Sequence, residues 1–204
     1  MVSKKVLVAC EFSGIVRDAF RDKGFDAYSC DLRETESYSE YHFQEDVFKS
    51  IEREDWDLMV AHPPCTYLSN SGVRWLYEKD DRWQDMIQGA VFFRKLLNAD
   101  IPHVAVENPI MHKWGKKIIG AEPNQTVQPY QFGHPMSKAT CLWLRDLPEL
   151  EATDILEKEG EVWDNQTKSG QNFRPPSDDR GKERSRFWVG IADAMADQWG
   201  DYIQ

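Results

Sequence analysis

Three short segments carry side chains that can do chemistry together. Asp57 to Gly72 reads D-L-M-V-A-H-P-P-C-T-Y-L-S-N-S-G. The apolar run Leu58 to Ala61 meets two prolines and then Cys65. Such a run suits a buried strand, and paired prolines end it in a stiff, extended turn. Cys65 is therefore expected on a rigid loop at the carboxyl end of a strand, where ligands bind in open α/β sheets. A thiol ionises near pH 8.5 when unperturbed, roughly, and becomes a strong nucleophile when a cation or helix end lowers that value. A single cysteine is more often a small buried hydrophobe. The polar Thr66, Ser69 and Asn70 that follow favour the nucleophile.

The second segment is Glu107-Asn108-Pro109, just past the apolar Val104-Ala105-Val106. A carboxylate at the end of a buried strand is costly unless hydrogen-bonded. It either caps a turn or exchanges a proton, with partial burial raising its pKa. A nucleophilic thiol and such a carboxyl at neighbouring strand ends make a covalent site. The third segment is Glu11-Phe12-Ser13-Gly14, after the opening strand. Gly14 would let the backbone approach a ligand, and the helix that follows would offer N–H groups to an anion. The pattern is not G-x-G-x-x-G, so it does not specify a dinucleotide. Asp31, at the end of the next strand, is placed to bond ribose hydroxyls of an adenosine-type cofactor. Asp46 stands either at the end of a third strand or simply on the surface.

The elements that must hold these residues follow from periodicity. Strands are expected at Lys5 to Ala9, Phe25 to Cys30, Asp57 to Ala61, Val104 to Val106 and Cys141 to Leu144. Helices are expected at Gly14 to Lys23, stopped by Gly24, at Arg82 to Asn98, and at Phe187 to Trp199. Strands alternating with helices imply an α/β fold, a mostly parallel sheet with helices on both faces. The three chemical segments should then share one sheet edge. From about Glu149 to Glu183 the chain is polar and rich in turn residues, a surface excursion in which residues 172–180 are expected to move.

Composition narrows the class. With 204 residues, 41% of them hydrophobic, the chain suits one domain with a real core. No apolar run is long enough to span a membrane, and the short N-terminal strand is not a signal peptide. Cys10, Cys30, Cys65 and Cys141 are scattered, without a C-x-x-C pair, so no zinc site or disulfide framework is expected and the compartment reads as cytoplasmic. The net charge of -10 argues against strong non-specific nucleic-acid binding. Lys168 to Arg186 is locally basic, with six basic residues against three acidic. It is either a solvated loop or a phosphate-contacting segment.

In motif order the chain resembles the DNA cytosine-5 methyltransferases. Phe12-Ser13-Gly14 matches that family's F-x-G turn, and Pro63-Pro64-Cys65 with Ser69 and Gly72 matches its catalytic loop in register. Glu107-Asn108-Pro109 stands for E-N-V, and Phe132-Gly133-His134-Pro135 opens the fourth motif. Gly190 to Ala194 resembles the family's last motif. Met136 and Thr140 replace that fourth motif's glutamine and second arginine, leaving Lys138 as its basic group. Residues 150–183 form a short excursion where relatives carry a large target-recognition domain.

The resemblance implies a Rossmann-like, S-adenosylmethionine-dependent methyltransferase fold in a single domain over residues 1–204. It implies methyl transfer to carbon 5 of cytosine in DNA, gripped weakly, with no metal. Cys65 would add to the base, Glu107 would act at ring nitrogen 3, Asn108 would orient the loop, and Lys138 would contact a base carbonyl or phosphate. Phe12, Ser13, Gly14, Asp31, Asp46 and Pro63 would hold the cofactor. Three alternatives stay open: the same chemistry on RNA or a free cytosine nucleotide, a silent cofactor- or base-binding module, and amino methylation, for which His62 and Cys65 are poor flanks to the two prolines.

Overall fold

Val6 to Ala9 and Leu58 to Ala61 are wholly withdrawn from water in the computed structural model, which describes residues 3–172 and 186–204. They form β1 (Lys5–Ala9) and β4 (Leu58–Ala61), the centre of a sheet. Helix α1 (Ile15–Asp22) leads to β2 (Asp26–Asp31) and β3 (His42–Gln44), and α2 (Val47–Ile51) leads to β4. Then come α3 (Arg82–Leu97), β5 (His103–Pro109), α4 (Lys113–Ile119), β6 (Gln125–Val127), β7 (Thr140–Arg145) and α5 (Val189–Ile203). The seven strands lie in the order β3-β2-β1-β4-β5-β7-β6. The first five are parallel, and β7 runs antiparallel to both β5 and β6. This is the Rossmann-like α/β arrangement expected from the sequence.

Successive side chains of a strand face opposite sides of a sheet, and the chain uses both. Val6, Val8, Leu58 and Val60 pack with Val16 and Phe20 of α1 and with Ile191, Met195 and Trp199 of α5. Leu7, Ala9, Met59 and Ala61 pack on the other face, against α2, α3 and α4. Each fully buried Val, Leu, Phe or Met side chain contributes about 1.5–3 kcal/mol. Gly24 stops α1 as expected: it takes φ 88, and its N–H donates to the Arg21 carbonyl. No helix among the described residues is long and apolar enough to cross a membrane.

Two boundaries move for reasons of pairing. Glu107, Asn108 and Pro109 lie inside β5 rather than past its end, because β7 pairs them with Leu142, Cys141 and Thr140. The last helix begins at Val189, not Phe187, because Trp188 is extended and Phe187 and Trp188 turn their rings onto His62 and His134. The start of α5 meets the turn after residue 131: Gly190 N–H donates to His134 Nε2 at 3.0 Å. A Cβ on Gly190 would fall 2.0 Å from the Phe132 carbonyl oxygen. Gly190→Ala is therefore expected to destabilise the fold by about 3 kcal/mol through overpacking against backbone, measurable as a lower urea midpoint with an unchanged slope.

The excursion is anchored at its start. Leu150 is buried, and its backbone exchanges two hydrogen bonds with the Gln125 amide. The rings of Tyr130 and Trp163 stack at 4.6 Å. Of the basic segment, Lys168 and Arg186 are described; Arg174, Arg180, Lys182 and Arg184 lie outside the described residues, as does the part of residues 172–180 beyond Asn172.

Candidate active site

Because β1, β2, β4 and β5 are parallel, their carboxyl ends share one edge, and a cavity of about 680 Å³ opens there. Its wall includes Phe12, Asp31, Pro63, Cys65, Glu107 and Lys138. Six of the ten residues singled out in the sequence thus meet at one place, from four strand ends and the approach to β7.

The thiol loop is held from both sides. His62 N–H donates to the Ala9 carbonyl at 2.9 Å, which keeps the chain on the sheet until the prolines. The Cys65 carbonyl then accepts from Leu68 and Ser69 N–H at 3.0 and 2.9 Å, closing a tight turn. The segment after β5 clamps this turn: Asn70 N–H donates to the Ile110 carbonyl and His112 N–H to the Leu68 carbonyl. Asn108 is buried, and its Nδ2 donates to the Pro63 carbonyl at 3.0 Å. The residue beside the acid therefore grips the residue two before the thiol.

All four cysteines are thiols. Burial pushes the Cys10 thiol well up, with Cys30, Asp31 and Asp46 adding to the effect. Burial raises Cys30 to about 11 and also raises Cys141. These three suit structural thiols. Cys10 and Cys65 are both half-buried and both line the cavity, Cys10 just past the end of β1 and Cys65 on the proline loop, so the raised Cys10 pKa is what separates them.

Glu107 Oε2 lies 3.3 Å from His62 Nδ1, with both side chains largely buried. His62 Nε2 is also buried and has no hydrogen-bond partner. A neutral imidazole carries one N–H. Here that proton belongs on Nδ1, facing the carboxylate, because a proton on Nε2 would find no acceptor. Sequence reasoning treated His62 only as a flank to the prolines. Its signal was an ionisable ring at a buried strand end, but its partner is 45 residues away.

The turn after β1 corrects an expectation. The N–H groups at the start of α1 are not offered to an anion, because the buried Glu11 carboxylate accepts from Val16 and Arg17 N–H at 2.8 and 3.3 Å. Ser13 Oγ also donates to it. Burial raises the Glu11 pKa, while these N–H bonds and the Arg17 charge pull it down. Gly14 takes φ 77, and a Cβ there would lie 2.5 Å from the Arg17 guanidinium. The group that approaches Gly14 closely is therefore the fully buried Arg17, and neither Ser13 nor Gly14 lines the cavity. Asp31 Oδ1 accepts from Arg33 N–H at 2.9 Å, leaving its other oxygen for a ligand hydroxyl. Asp46 lies two residues past β3, off the cavity wall; it caps α2, accepting from Phe48 N–H at 2.9 Å.

The fourth motif's departures have a structural form. Thr140 is buried at the start of β7, its hydroxyl donating to the Lys138 carbonyl at 3.2 Å, so it does not reach the cavity. Lys138 does. At the opposite rim Arg186 grips Glu36 with two hydrogen bonds of 2.8 and 3.0 Å. Phe12, a buried ring, and Asp31 both line the cavity. An aromatic ring and a carboxylate on one cavity wall fit an adenosine-bearing cofactor in kind and in volume.

No family model matches the chain, and no curated protein matches it. Among solved structures, a methyltransferase of Entamoeba histolytica is similar at 18% identity and a TM-score of 0.47, over 76% of this chain and 58% of that one. A prophage-encoded protein of E. coli described as a DNA modification methyltransferase by assignment shares 15% identity at a TM-score of 0.44, over 70% and 46%. An E. coli rRNA methylase shares 15% at a TM-score of 0.39, over 69% and 57%. The chain thus spans roughly half the length of the structures it resembles, 46–58%.

Proposed function

We propose that the chain transfers a methyl group from S-adenosylmethionine to carbon 5 of cytosine in DNA through a covalent adduct with Cys65. One observation carries this reading: a half-buried thiol and a carboxyl, Cys65 and Glu107, face one cavity at adjacent strand ends, with Asp31 on the same wall. S-adenosylmethionine supplies an electrophilic methyl on a sulfonium. Phe12, Pro63 and Asp31 would hold it, by ring contact and by a bond to the ribose.

Carbon 5 of cytosine is a weak nucleophile. Addition of the Cys65 thiolate at carbon 6 converts the ring to an enamine that attacks a methyl sulfonium. Glu107 donates a hydrogen bond or proton to ring nitrogen 3, neutralising the charge that the addition creates. His62 holds Oε2, which leaves Oε1 to face the base. Lys138 contacts the base carbonyl or a neighbouring phosphate. After transfer, water entering the cavity takes the carbon 5 proton, the carbon 5–carbon 6 double bond reforms as the bond to Cys65 breaks and the thiolate leaves, and ring nitrogen 3 returns its proton to Glu107. A stacked base cannot reach such a cavity, so the target is flipped out or unpaired.

The test is tritiated methyl transfer to duplex DNA, single-stranded DNA, RNA and dCTP, with Cys65→Ala as control. Transfer to carbon 5 that depends on Cys65 supports the reading; transfer that ignores the substitution refutes it. His62 adds a finer check. His62→Phe removes the donor to Glu107 and is expected to lower kcat about tenfold or more with little change in KM, the scale of a lost hydrogen bond to a charged group. His62→Asn, which restores an N–H near Nδ1, should recover most of it.

A further inference from the structure

We propose that the surface running outward from the cavity, along residues 67–83 and onto α4, is a stacking platform for the unpaired nucleotides that flank the target base. The inference rests on the nucleic-acid substrate of the proposed function. Trp75 and Arg82 stand on the cavity wall beside the Cys65 loop. Beyond them Tyr77, Trp83 and Trp114 form a continuous run, edge to face, with ring centroids 5.7 and 5.8 Å apart. Trp114 Nε1 donates to the Tyr77 hydroxyl at 3.1 Å, which fixes the two rings relative to each other. Tyr77 is nonetheless 69% exposed. Cations lie over one ring of this run and two rings nearer the Cys65 loop: Lys113 4.9 Å from the Trp114 centroid, Arg74 4.4 Å from that of Trp75, and Arg82 4.3 Å from that of Tyr67.

Aromatic rings with interleaved cations, arrayed from the mouth of a base-sized cavity, suit single strands. In a duplex both faces of each base are already covered by neighbours, whereas an unpaired base gains by stacking on a side chain. The acidic residues of the segment make the same point. Glu78, Asp80 and Asp81 fall between Tyr77 and Trp83 along the chain and are exposed, and the chain carries a net charge of -10. Phosphate attraction is therefore slight and stacking must supply most of the affinity. With the exposed Arg74, Lys79 and Lys113 as phosphate partners, the slope of log affinity against log salt should be shallow, about -2 for three contacts to a single strand.

The experiment measures fluorescence anisotropy of a labelled cytosine-containing 12-mer as single-stranded DNA, as RNA and as duplex DNA, with the full chain and no methyl donor. Single strands are expected to bind more tightly than the duplex, and the DNA and RNA arms report which sugar is preferred. Trp75→Ala and Tyr77→Ala should each weaken single-strand binding about fivefold or more, with Trp75→Phe retaining most of it. Tyr202→Ala, an exposed ring near the end of α5, should change nothing. Tyr77→Ala removes an exposed side chain, so it decides the matter even where Trp75→Ala fails to fold. Wild-type affinity in Tyr77→Ala, or preference for the duplex, overturns the platform. Ring-dependent binding without any methyl transfer keeps the platform and refutes the cytosine-5 reading; transfer with ring-independent binding does the reverse.

Discussion

Cys65→Ser is expected to lower methyl transfer to cytosine by at least about 10³-fold, the scale on which loss of a covalent nucleophile registers. Serine is nearly isosteric, and the turn beneath it is held by backbone bonds from Leu68 and Ser69 that the substitution leaves intact. The loop therefore keeps its shape, and what changes is ionisation: an alcohol supplies almost no oxyanion at neutral pH, where a thiol supplies a usable fraction of thiolate. Binding of S-adenosylhomocysteine, followed by calorimetry, should be unaltered. A 5-fluorocytosine oligonucleotide should trap a denaturation-resistant adduct with the wild-type chain and none with Cys65→Ser. Full activity in Cys65→Ser would instead point to methylation of an amino group.

Glu107→Gln is the second large effect, expected at about 10²–10⁴-fold in kcat, the range for loss of a general acid. Glutamine can still accept from His62 Nδ1, so the β5 ladder and the His62 contact survive. Its amide can also donate a hydrogen bond to ring nitrogen 3, so KM should move little. It cannot surrender a proton, so the loss falls on the chemical step. The discriminating measurement is single-turnover methyl transfer at saturating cofactor and DNA, in which Glu107→Gln should slow the chemical step while the affinity for DNA stays at the wild-type value. A kcat within about threefold of wild type would mean that the acid is structural, since even one charged hydrogen bond contributes more.

The sequence made the centre of the sheet legible because β1 and β4 are buried on both faces and read as unbroken apolar runs. The edges did not read so plainly. β3 and β6 have three residues each, too few for a period to register. α4 escaped notice because its interior holds Gly115, which the fold uses to seat Met111 within 3.1 Å of a would-be Cβ. Asp46 was ambiguous because an acid that caps a helix and an acid that binds a ligand look alike until the helix is seen. Cys65 and Glu107 stood out from their local setting, whereas a role for Asn108 came from the family resemblance alone. His62 and the Tyr77, Trp83 and Trp114 rings did not stand out, since each acquires its meaning from a partner distant in sequence.

The bond from Asn108 Nδ2 to the Pro63 carbonyl has a further consequence. It ties the loop that carries the sulfur to the strand that carries the acid, so the gap between them behaves like the jaws of a fixed caliper. A six-membered pyrimidine offers its attacked carbon and its basic nitrogen across one small ring, whereas a fused purine presents comparable atoms at other spacings. Under the proposed cytosine chemistry, discrimination by gauge of this sort would need no reading of base edges and would leave the letters on either side unread.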